Sequence, residues 1–196
     1  MKTLPLLFLL ITGAIATADQ NMLKNGDFSG GINHWEGDCH SISSTTFDSA
    51  TVNPPTTGVI VKLRGSDWTK VTQNFDGKMG KYLLTVKYTV SPDLKFSSRT
   101  DNYDNIPSRL ELARLVPFGV NVGQWAIVVT DYGADRYTYW KITPKIDPSA
   151  TQTATCNVHI DSDATNTKTF CLGFPPGNGY MTLQSISLVP VNIANP

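Results

Sequence analysis

Residues 82–90 read Tyr-Leu-Leu-Thr-Val-Lys-Tyr-Thr-Val, the clearest β-strand pattern in this 196-residue chain. Successive side chains of a strand point to opposite faces. One face therefore carries the apolar residues Tyr82, Leu84, Val86, Tyr88 and Val90. A glycine-flanked turn at 77–80 precedes the run, and Pro92 ends it. We predict a half-buried strand here, with both tyrosines in the core.

Shorter runs of the same kind occur on both sides of this strand. They are rich in β-branched and aromatic residues and are separated by turn residues. We predict strands at 59–63, 124–130, 137–143, 155–160, 167–172 and 180–189, and a strand or short helix at 108–116. Many short strands at regular spacing predict an all-β fold, an antiparallel β-sandwich or jelly roll.

The composition agrees with this fold class and excludes others. The chain has two Glu against fourteen Asp, so we expect no long helices. Charged residues make up 16% of the chain, against roughly 25% in an average soluble protein. Lys plus Arg and Asp plus Glu both number 16, and no basic cluster occurs. A nucleic-acid or polyanion binder normally carries a basic face, so we expect a neutral partner.

The N-terminal residues have the layout of a secretory signal peptide. Lys2 is followed by an apolar run over residues 4–15, and then by the small-x-small sequence Ala16-Thr17-Ala18. We predict cleavage after Ala18, a folded domain over 19–190 and a frayed tail over 191–196. The apolar run is shorter than the about 20 residues that span a bilayer, although an N-terminal anchor is the alternative. The mature protein is expected to be secreted, without a membrane segment.

Secretion permits disulfide bonds, and the mature chain has three cysteines. Cys156 and Cys171 flank a polar segment and could close a hairpin. Such a bridge would contribute on the order of 3 kcal/mol. We predict this disulfide, with Cys39 left buried or paired with another chain, although sequence alone does not fix the connectivity.

The segment that follows the signal peptide resembles a known family. Residues 21–31 read Asn-Met-Leu-Lys-Asn-Gly-Asp-Phe-Ser-Gly-Gly, and Trp35 follows. This is similar to the opening of carbohydrate-binding modules of families 4, 9 and 22, which begin with a strand, Asn-Gly-Asp/Gly-Phe-Glu, glycine and Trp. Those modules are galactose-binding-domain-like jelly rolls. The resemblance implies that Trp35 belongs to the core.

Two further stretches support the resemblance by their order in the chain. Residues 68–73 read Trp-Thr-Lys-Val-Thr-Gln, and the closing run at 179–188 reads Gly-Tyr-Met-Thr-Leu-Gln-Ser-Ile-Ser-Leu. The family's last strand usually carries an Asp that helps to hold a structural calcium, but this chain has Gln184 and Ser185 there. Ser29 also stands where the family has Glu. We therefore expect no cofactor, and the resemblance implies calcium only weakly.

The richest candidate sugar site lies between residues 131 and 140, where four aromatic residues stand beside two Asp and one Arg. Sugar sites combine an aromatic platform with planar polar groups at the rim of the ring. On a strand, Tyr137 and Tyr139 share one face and Trp140 lies on the other, so one set must be core. The predicted ligand-binding residues are Trp68, Trp125, Tyr132, Asp135, Arg136, Tyr137, Tyr139 and Trp140.

Metal and catalytic motifs are weaker. Four potential zinc ligands stand close together in the sequence but lack zinc-finger spacing: His34, Asp38, Cys39 and His40. The oxygen-rich run at 101–105 lacks the glycine and terminal glutamate of a calcium loop. No Gly-x-Ser-x-Gly or His-Glu-x-x-His motif occurs, nor does the Glu-x-Asp-x-x-Glu strand of jelly-roll glucanases. We expect no metal site and no catalytic activity.

These observations lead to one main hypothesis and two alternatives. The main hypothesis is a secreted, non-catalytic carbohydrate-binding protein that binds a neutral polysaccharide by stacking and hydrogen bonding. One alternative is a protein-interaction or structural β-sandwich that has no sugar site. The other is a small jelly-roll hydrolase or lyase acting on glycans.

Overall fold

The computed structural model describes residues 21–42, 58–65, 67–97, 123–134 and 136–191, with Tyr137 described by its backbone alone. The predicted signal peptide, the predicted element at 108–116 and residues 192–196 lie outside this part of the chain. The strands of the described residues are β1 Glu36–Gly37, β2 Cys39–Ser41, β3 Val59–Lys62, β4 Thr69–Asp76, β5 Gly80–Val90, β6 Lys95–Phe96, β7 Trp125–Asp131, β8 Arg136–Ile142, β9 Gln152–Ile160, β10 Thr167–Phe174, β11 Gly177–Asn178 and β12 Tyr180–Pro190.

These strands form two five-stranded antiparallel sheets and one short pair. The first sheet has the order β1-β4-β10-β7-β8, the second has the order β2-β3-β12-β5-β9, and β11 pairs with β6. Strands that are consecutive in sequence, such as β4 and β5 or β9 and β10, belong to opposite sheets. This arrangement is an antiparallel jelly roll, as the sequence predicted. No helix among the described residues has the length and apolar character needed to cross a membrane.

The core fills the space between the two sheets. All five apolar residues of the 82–90 alternation are buried, as predicted. Tyr88 from the second sheet meets Trp125 from the first, with ring centroids 4.7 Å apart and the planes at 65°. Trp125 meets Phe174 edge-on at 5.1 Å. Aromatic pairs of this geometry contribute about 0.5–1.5 kcal/mol beyond their area burial, and the Tyr88–Trp125 pair joins the two sheets.

Strand β4 was not predicted, because a polar residue interrupts its apolar row. Val71, Gln73 and Phe75 point inward, and Gln73 is only 3% exposed. Its amide is fully used by the backbone of Lys24: the Lys24 N–H donates to Gln73 Oε1 at 2.6 Å, and Gln73 Nε2 donates to the Lys24 carbonyl at 2.9 Å. A buried amide with both groups paired is tolerated in a core.

The opening segment forms successive turns rather than the strand that the resemblance implied. Phe28 and Trp35 are buried in contact, with ring centroids 5.3 Å apart, so Trp35 is a core residue as expected. The Trp35 indole donates to the Asn25 carbonyl at 3.0 Å. Gly26 lies directly against β12, where a Cβ would collide with the Ile186 carbonyl. Glycine is therefore required at this position of the motif.

The predicted disulfide is wrong. Cys39, Cys156 and Cys171 all lie within the described residues and form no disulfide. Cys156 is on β9, opposite Leu84 of the second sheet, whereas Cys171 is on β10, opposite Thr72 of the first. The two strands do not form a hairpin. Packed sheets are about 10 Å apart, and a disulfide requires Cα atoms within about 7 Å.

Candidate functional site

The sequence-predicted site lies on a hairpin formed by β7 and β8. The two strands pair from Trp125 opposite Ile142 to Asp131 opposite Arg136. A single 3-10 turn at Tyr132–Ala134 follows β7. Among the described strands, β8 is the edge strand of the first sheet and pairs with β7 alone. An edge hairpin of this kind presents side chains to solvent.

Two tyrosines are the most exposed aromatic residues in the described part of the chain. Tyr132, in the turn, is 54% exposed, and Tyr139, on β8, is 48% exposed. Tyr139 pairs with Val128 on the face of the sheet that points away from the core. It lies three residues into the strand, about 10 Å from the turn. We call Tyr132, Arg136, Tyr139 and Lys141 the hairpin surface.

Two of the predicted tryptophans are core residues, which corrects those two ligand contacts, and the third packs partly against the core. Trp125 is fully buried in the core, and Trp68 is only 7% exposed. Trp140 is half-buried and packs against the core from the opposite face of β8 to Tyr139. The apolar residues that follow Trp125 make β7 an interior strand between β10 and β8, and all of its residues are buried. Its Nε1 has no hydrogen-bond partner among the described residues.

The remaining predicted residues divide into two groups. Arg136 is exposed at the start of β8, as a ligand-binding guanidinium would be. Asp135 lies outside the described residues, and so does the side chain of Tyr137, whose backbone pairs with Thr130. Of the predicted set, Tyr132, Arg136 and Tyr139 are thus exposed on this hairpin, with Arg136 and Tyr139 on opposite faces of β8.

The sequence pattern did not reveal a second group of polar residues on the outer face of the first sheet, on β4 and β10. Across the sheet, Tyr139 lies in register with Val128, Cys171 and Thr72, a span of about 14 Å at the usual strand spacing. Val128 and Cys171 are buried, and beyond Thr72 the row continues to the exposed Glu36 of β1. The polar row of β4 and β10 is linked by Thr169 Oγ1 donating to Asn74 Oδ1 at 2.7 Å. The alternation of buried and more exposed residues along β4 was the signal in the sequence that would have revealed this polar row.

A buried ion pair supports the turn of the hairpin. Lys168 is fully buried, and its Nζ lies 3.6 Å from Asp131 Oδ2. The ammonium donates to the carbonyls of Gly77 at 2.8 Å and Thr165 at 2.6 Å. Asp131 accepts from the Ser162 hydroxyl at 2.9 Å, the Thr165 hydroxyl at 2.7 Å and the Gly133 N–H at 3.2 Å. Both charges are thus hydrogen-bonded, as buried charges must be.

This network fixes the charge state of Asp131 and the shape of the loops around it. Burial raises the pKa of the Asp131 carboxyl, but the hydrogen bonds from Thr165 and Ser162 and the charge of Lys168 outweigh it and lower the pKa to about 2. The bond to Gly133 holds the turn that carries Tyr132. The bonds of Lys168 join the β4–β5 turn to the β9–β10 loop. Sequence spacing gave no signal of this pair.

Asp38 and Cys39, from the candidate metal cluster of the opening segment, lie in other environments. Among the described residues, no group of three or more His, Cys, Asp or Glu side chains could hold a metal ion. Asp38 instead forms an ion pair with Arg64 and accepts from the Lys70 N–H at 3.0 Å. Cys39 is buried, and burial raises the pKa of its thiol. The run at 101–105 lies outside the described residues.

Structural comparison identifies the fold class. The CBM22-2 xylan-binding domain of a Paenibacillus barcinonensis protein superposes with a TM-score of 0.53 at 7% identity, over 85% of this chain and 98% of that one. A family 16 carbohydrate-binding module gives 0.50 at 13% identity, over 86% and 99%. No protein-family model and no curated protein matches the sequence.

The enzymatically active domain of tailspike protein 4 from bacteriophage CBA120 also shares the fold. It superposes with a TM-score of 0.53 at 9% identity over 88% of this chain, but over only 22% of that one. Two of these three structures are carbohydrate-binding modules. The chain therefore has the jelly-roll fold of carbohydrate-binding modules, which confirms the fold that the opening motif implied.

Proposed function

We propose that this protein is a non-catalytic glycan-binding protein whose hairpin surface contacts a neutral polysaccharide. The observation that carries the proposal is the exposure of Tyr132 and Tyr139 on one edge hairpin of a carbohydrate-binding-module fold. Half-exposed large apolar side chains of this kind have an unfavourable free energy of hydration. Contact with the C–H face of a sugar ring would remove that cost.

Arg136 suits the rim of a sugar, because a guanidinium has N–H donors for hydroxyl groups. Each stacked ring contributes about 1 kcal/mol, so binding in the micromolar to millimolar range is expected. The spacing of about 10 Å between the turn and Tyr139 favours an oligosaccharide over a single sugar.

Asp131 is not a candidate general acid for glycan hydrolysis. Glycoside hydrolysis needs one carboxylic acid that is protonated near the working pH and a second carboxylate about 5 Å or more away. Asp131 is buried, is paired with Lys168, and has a pKa of about 2. It is thus ionised and fully engaged at neutral pH, so it is unsuited to act as the acid.

Secretion is part of the proposal. It rests on the charged, apolar and small-residue order of residues 1–18. Amino-terminal sequencing of protein recovered from a culture medium should begin at Asp19. Retention of residues 1–18 in a membrane fraction would contradict secretion.

Affinity electrophoresis through gels of laminarin, xylan, cellulose derivatives and mannan tests glycan binding. We expect retardation by one polysaccharide, loss of it in Tyr139→Ala, and retention in Tyr139→Phe, which keeps the ring. Leu83→Ala is the matched control, since Leu83 is a 39% exposed strand residue on the second sheet. Folded protein without retardation in any gel would refute the proposal and favour the protein-interaction alternative. Release of reducing ends would refute the non-catalytic part.

A further inference from the structure

Strand β9 forms one edge of the second sheet and pairs only with β5 among the described strands. It has nine residues, and its register with β5 runs from Ile160 opposite Gly80 to Gln152 opposite Tyr88 without a bulge. Its sequence, Gln-Thr-Ala-Thr-Cys-Asn-Val-His-Ile, contains no Lys, Arg, Asp, Glu or Pro. Proteins protect sheet edges with short strands, charged side chains, proline or bulges, and β9 has none of these.

The other sheet edges in the described part of the chain are protected. Strands β1, β2, β6 and β11 have only two or three residues each. The edge strand β8 is longer but carries the exposed charged residues Arg136 and Lys141. Among the described strands, β9 is therefore the long, charge-free edge that is suited to pairing with a further strand.

The hydrogen bonds of β5 show which backbone groups of β9 face the open edge. The Lys81 carbonyl accepts from the Val191 N–H at 2.8 Å, and the Ser91 N–H donates to the Tyr180 carbonyl at 3.0 Å. Odd-numbered residues of β5 therefore bond toward β12. Since the N–H and C=O of one strand residue point to the same side and successive residues alternate, even-numbered residues of β5 bond toward β9.

Cys156 lies opposite the even-numbered Leu84, so its backbone groups bond to β5. The residues that alternate with it point their N–H and C=O groups to the open edge: Thr153, Thr155, Asn157 and His159. No backbone hydrogen bond to a described residue occupies these groups. The Asn157 carbonyl receives only the Cys156 thiol at 3.6 Å, a weak donor. The edge is thus ready to accept a complete ladder of hydrogen bonds.

The middle residue of β9 is Cys156, so the strand can pair symmetrically with an identical strand. A two-fold axis at this residue places Thr155 opposite Asn157 as a hydrogen-bonded pair and brings no charged side chains together. The two Cys156 residues form the central non-hydrogen-bonded pair, in which Cα atoms are about 4.5 Å apart, a distance that permits a disulfide. We propose that two copies of this chain form a dimer by antiparallel pairing of their β9 strands, centred on Cys156.

Sedimentation equilibrium of the full chain in reducing buffer tests this dimer, over about 1 μM to 1 mM, the range in which weak complexes dissociate. We expect the mass to rise to twice that of the monomer. Thr155→Pro should abolish the rise, because proline removes an N–H that faces the open edge and not β5. Thr155→Val keeps that N–H and the branched side chain, and as the matched control it should still dimerise.

Oxidised glutathione provides a second readout that does not depend on the folding of the proline variant. Two Cys156 thiols lose two protons and two electrons to one glutathione disulfide, which yields two glutathione thiols and a Cys156–Cys156 bond. We expect a covalent dimer that contains this bond by peptide mass spectrometry. Cys156→Ser should lose the covalent dimer but still associate in reducing buffer. Cys39→Ser is the control and should cross-link unchanged, since Cys39 is buried.

A monomer at every concentration would overturn the proposal, as would a mass that rises beyond the dimer. So would dimerisation of folded Thr155→Pro at wild-type strength, or glutathione attached to Cys156 without a covalent dimer. The assays contain no glycan, so their outcome is independent of the function proposed for the hairpin surface.

Discussion

Replacing Trp125 by phenylalanine should change the stability of the protein very little, although the residue is fully buried. Its indole packs between Tyr88 and Phe174 at 4.7 and 5.1 Å, but its N–H has no hydrogen-bond partner in the described part of the chain. A buried donor left without a partner costs about 1–3 kcal/mol. Phenylalanine keeps most of the ring contacts and removes that donor.

The magnitude follows from comparing this gain with the lost packing. Trp→Phe removes two buried carbons besides the nitrogen, worth about 0.8 kcal/mol each, and a small cavity adds to the cost. The packing loss of about 2 kcal/mol is matched by the relieved donor, so the free energy of unfolding should change by less than about 1 kcal/mol. Trp125→Ala removes the whole ring and should cost about 3–5 kcal/mol.

Trp35→Phe is the matched comparison, because Trp35 is also buried but donates to the Asn25 carbonyl at 3.0 Å. That variant loses similar packing and leaves a carbonyl without its donor, so it should cost about 2 kcal/mol more than Trp125→Phe. Urea unfolding followed by far-ultraviolet circular dichroism measures both without relying on tryptophan fluorescence. Equal destabilisation by the two variants would show that the reasoning about the Trp125 N–H is wrong.

Three further predictions concern the buried ion pair and the cysteines. Lys168→Met should lower the free energy of unfolding by about 3–5 kcal/mol, because it leaves Asp131 buried without its cation; a loss below 1 kcal/mol in urea unfolding would contradict this. The Asp131 pKa is lowered from 3.8 to about 2, so its contribution to stability is complete above pH 3.8 and is lost as the pH falls through about 2. Acid unfolding of Asp131→Asn should show a weaker pH dependence over this range. An unchanged pH dependence would refute the assignment of this pKa to Asp131. Alkylation of the unfolded, unreduced protein should label three thiols by mass spectrometry, whereas an unlabelled pair including Cys156 would restore the disulfide.

The fold was predictable because it depends on patterns that are local in sequence. The alternation at 82–90 appears as β5, and the run at 124–130 appears as β7 within one residue. Strand β4 was missed because Gln73 breaks its apolar row, and the reason it is tolerated lies far away in sequence, in the backbone of Lys24. Patterning therefore detects a strand well when each of its residues obeys the pattern.

The candidate site was predictable only to the level of the hairpin. Alternation separates Tyr139 from Trp140, but it does not say which of the two faces the core. Packing settles this, because β8 pairs with a strand whose inward row holds Trp125 and Ile127 and so places Trp140 inside. A count of aromatic residues alone therefore overestimates the ligand-facing set.

By itself, the sequence determined the all-β class, most of the strands and the segment that carries the exposed tyrosines, since side-chain alternation and turn residues act over a few positions. Only the tertiary structure decided the partners that are distant in sequence. It separated Cys156 from Cys171 by placing them in opposite sheets, and it paired Lys168 with Asp131. It also brought Met22 and Val191, from the two ends of the described chain, to the lining of one pocket. Such contacts depend on which sheet each strand joins, and the packing of the whole core sets that choice.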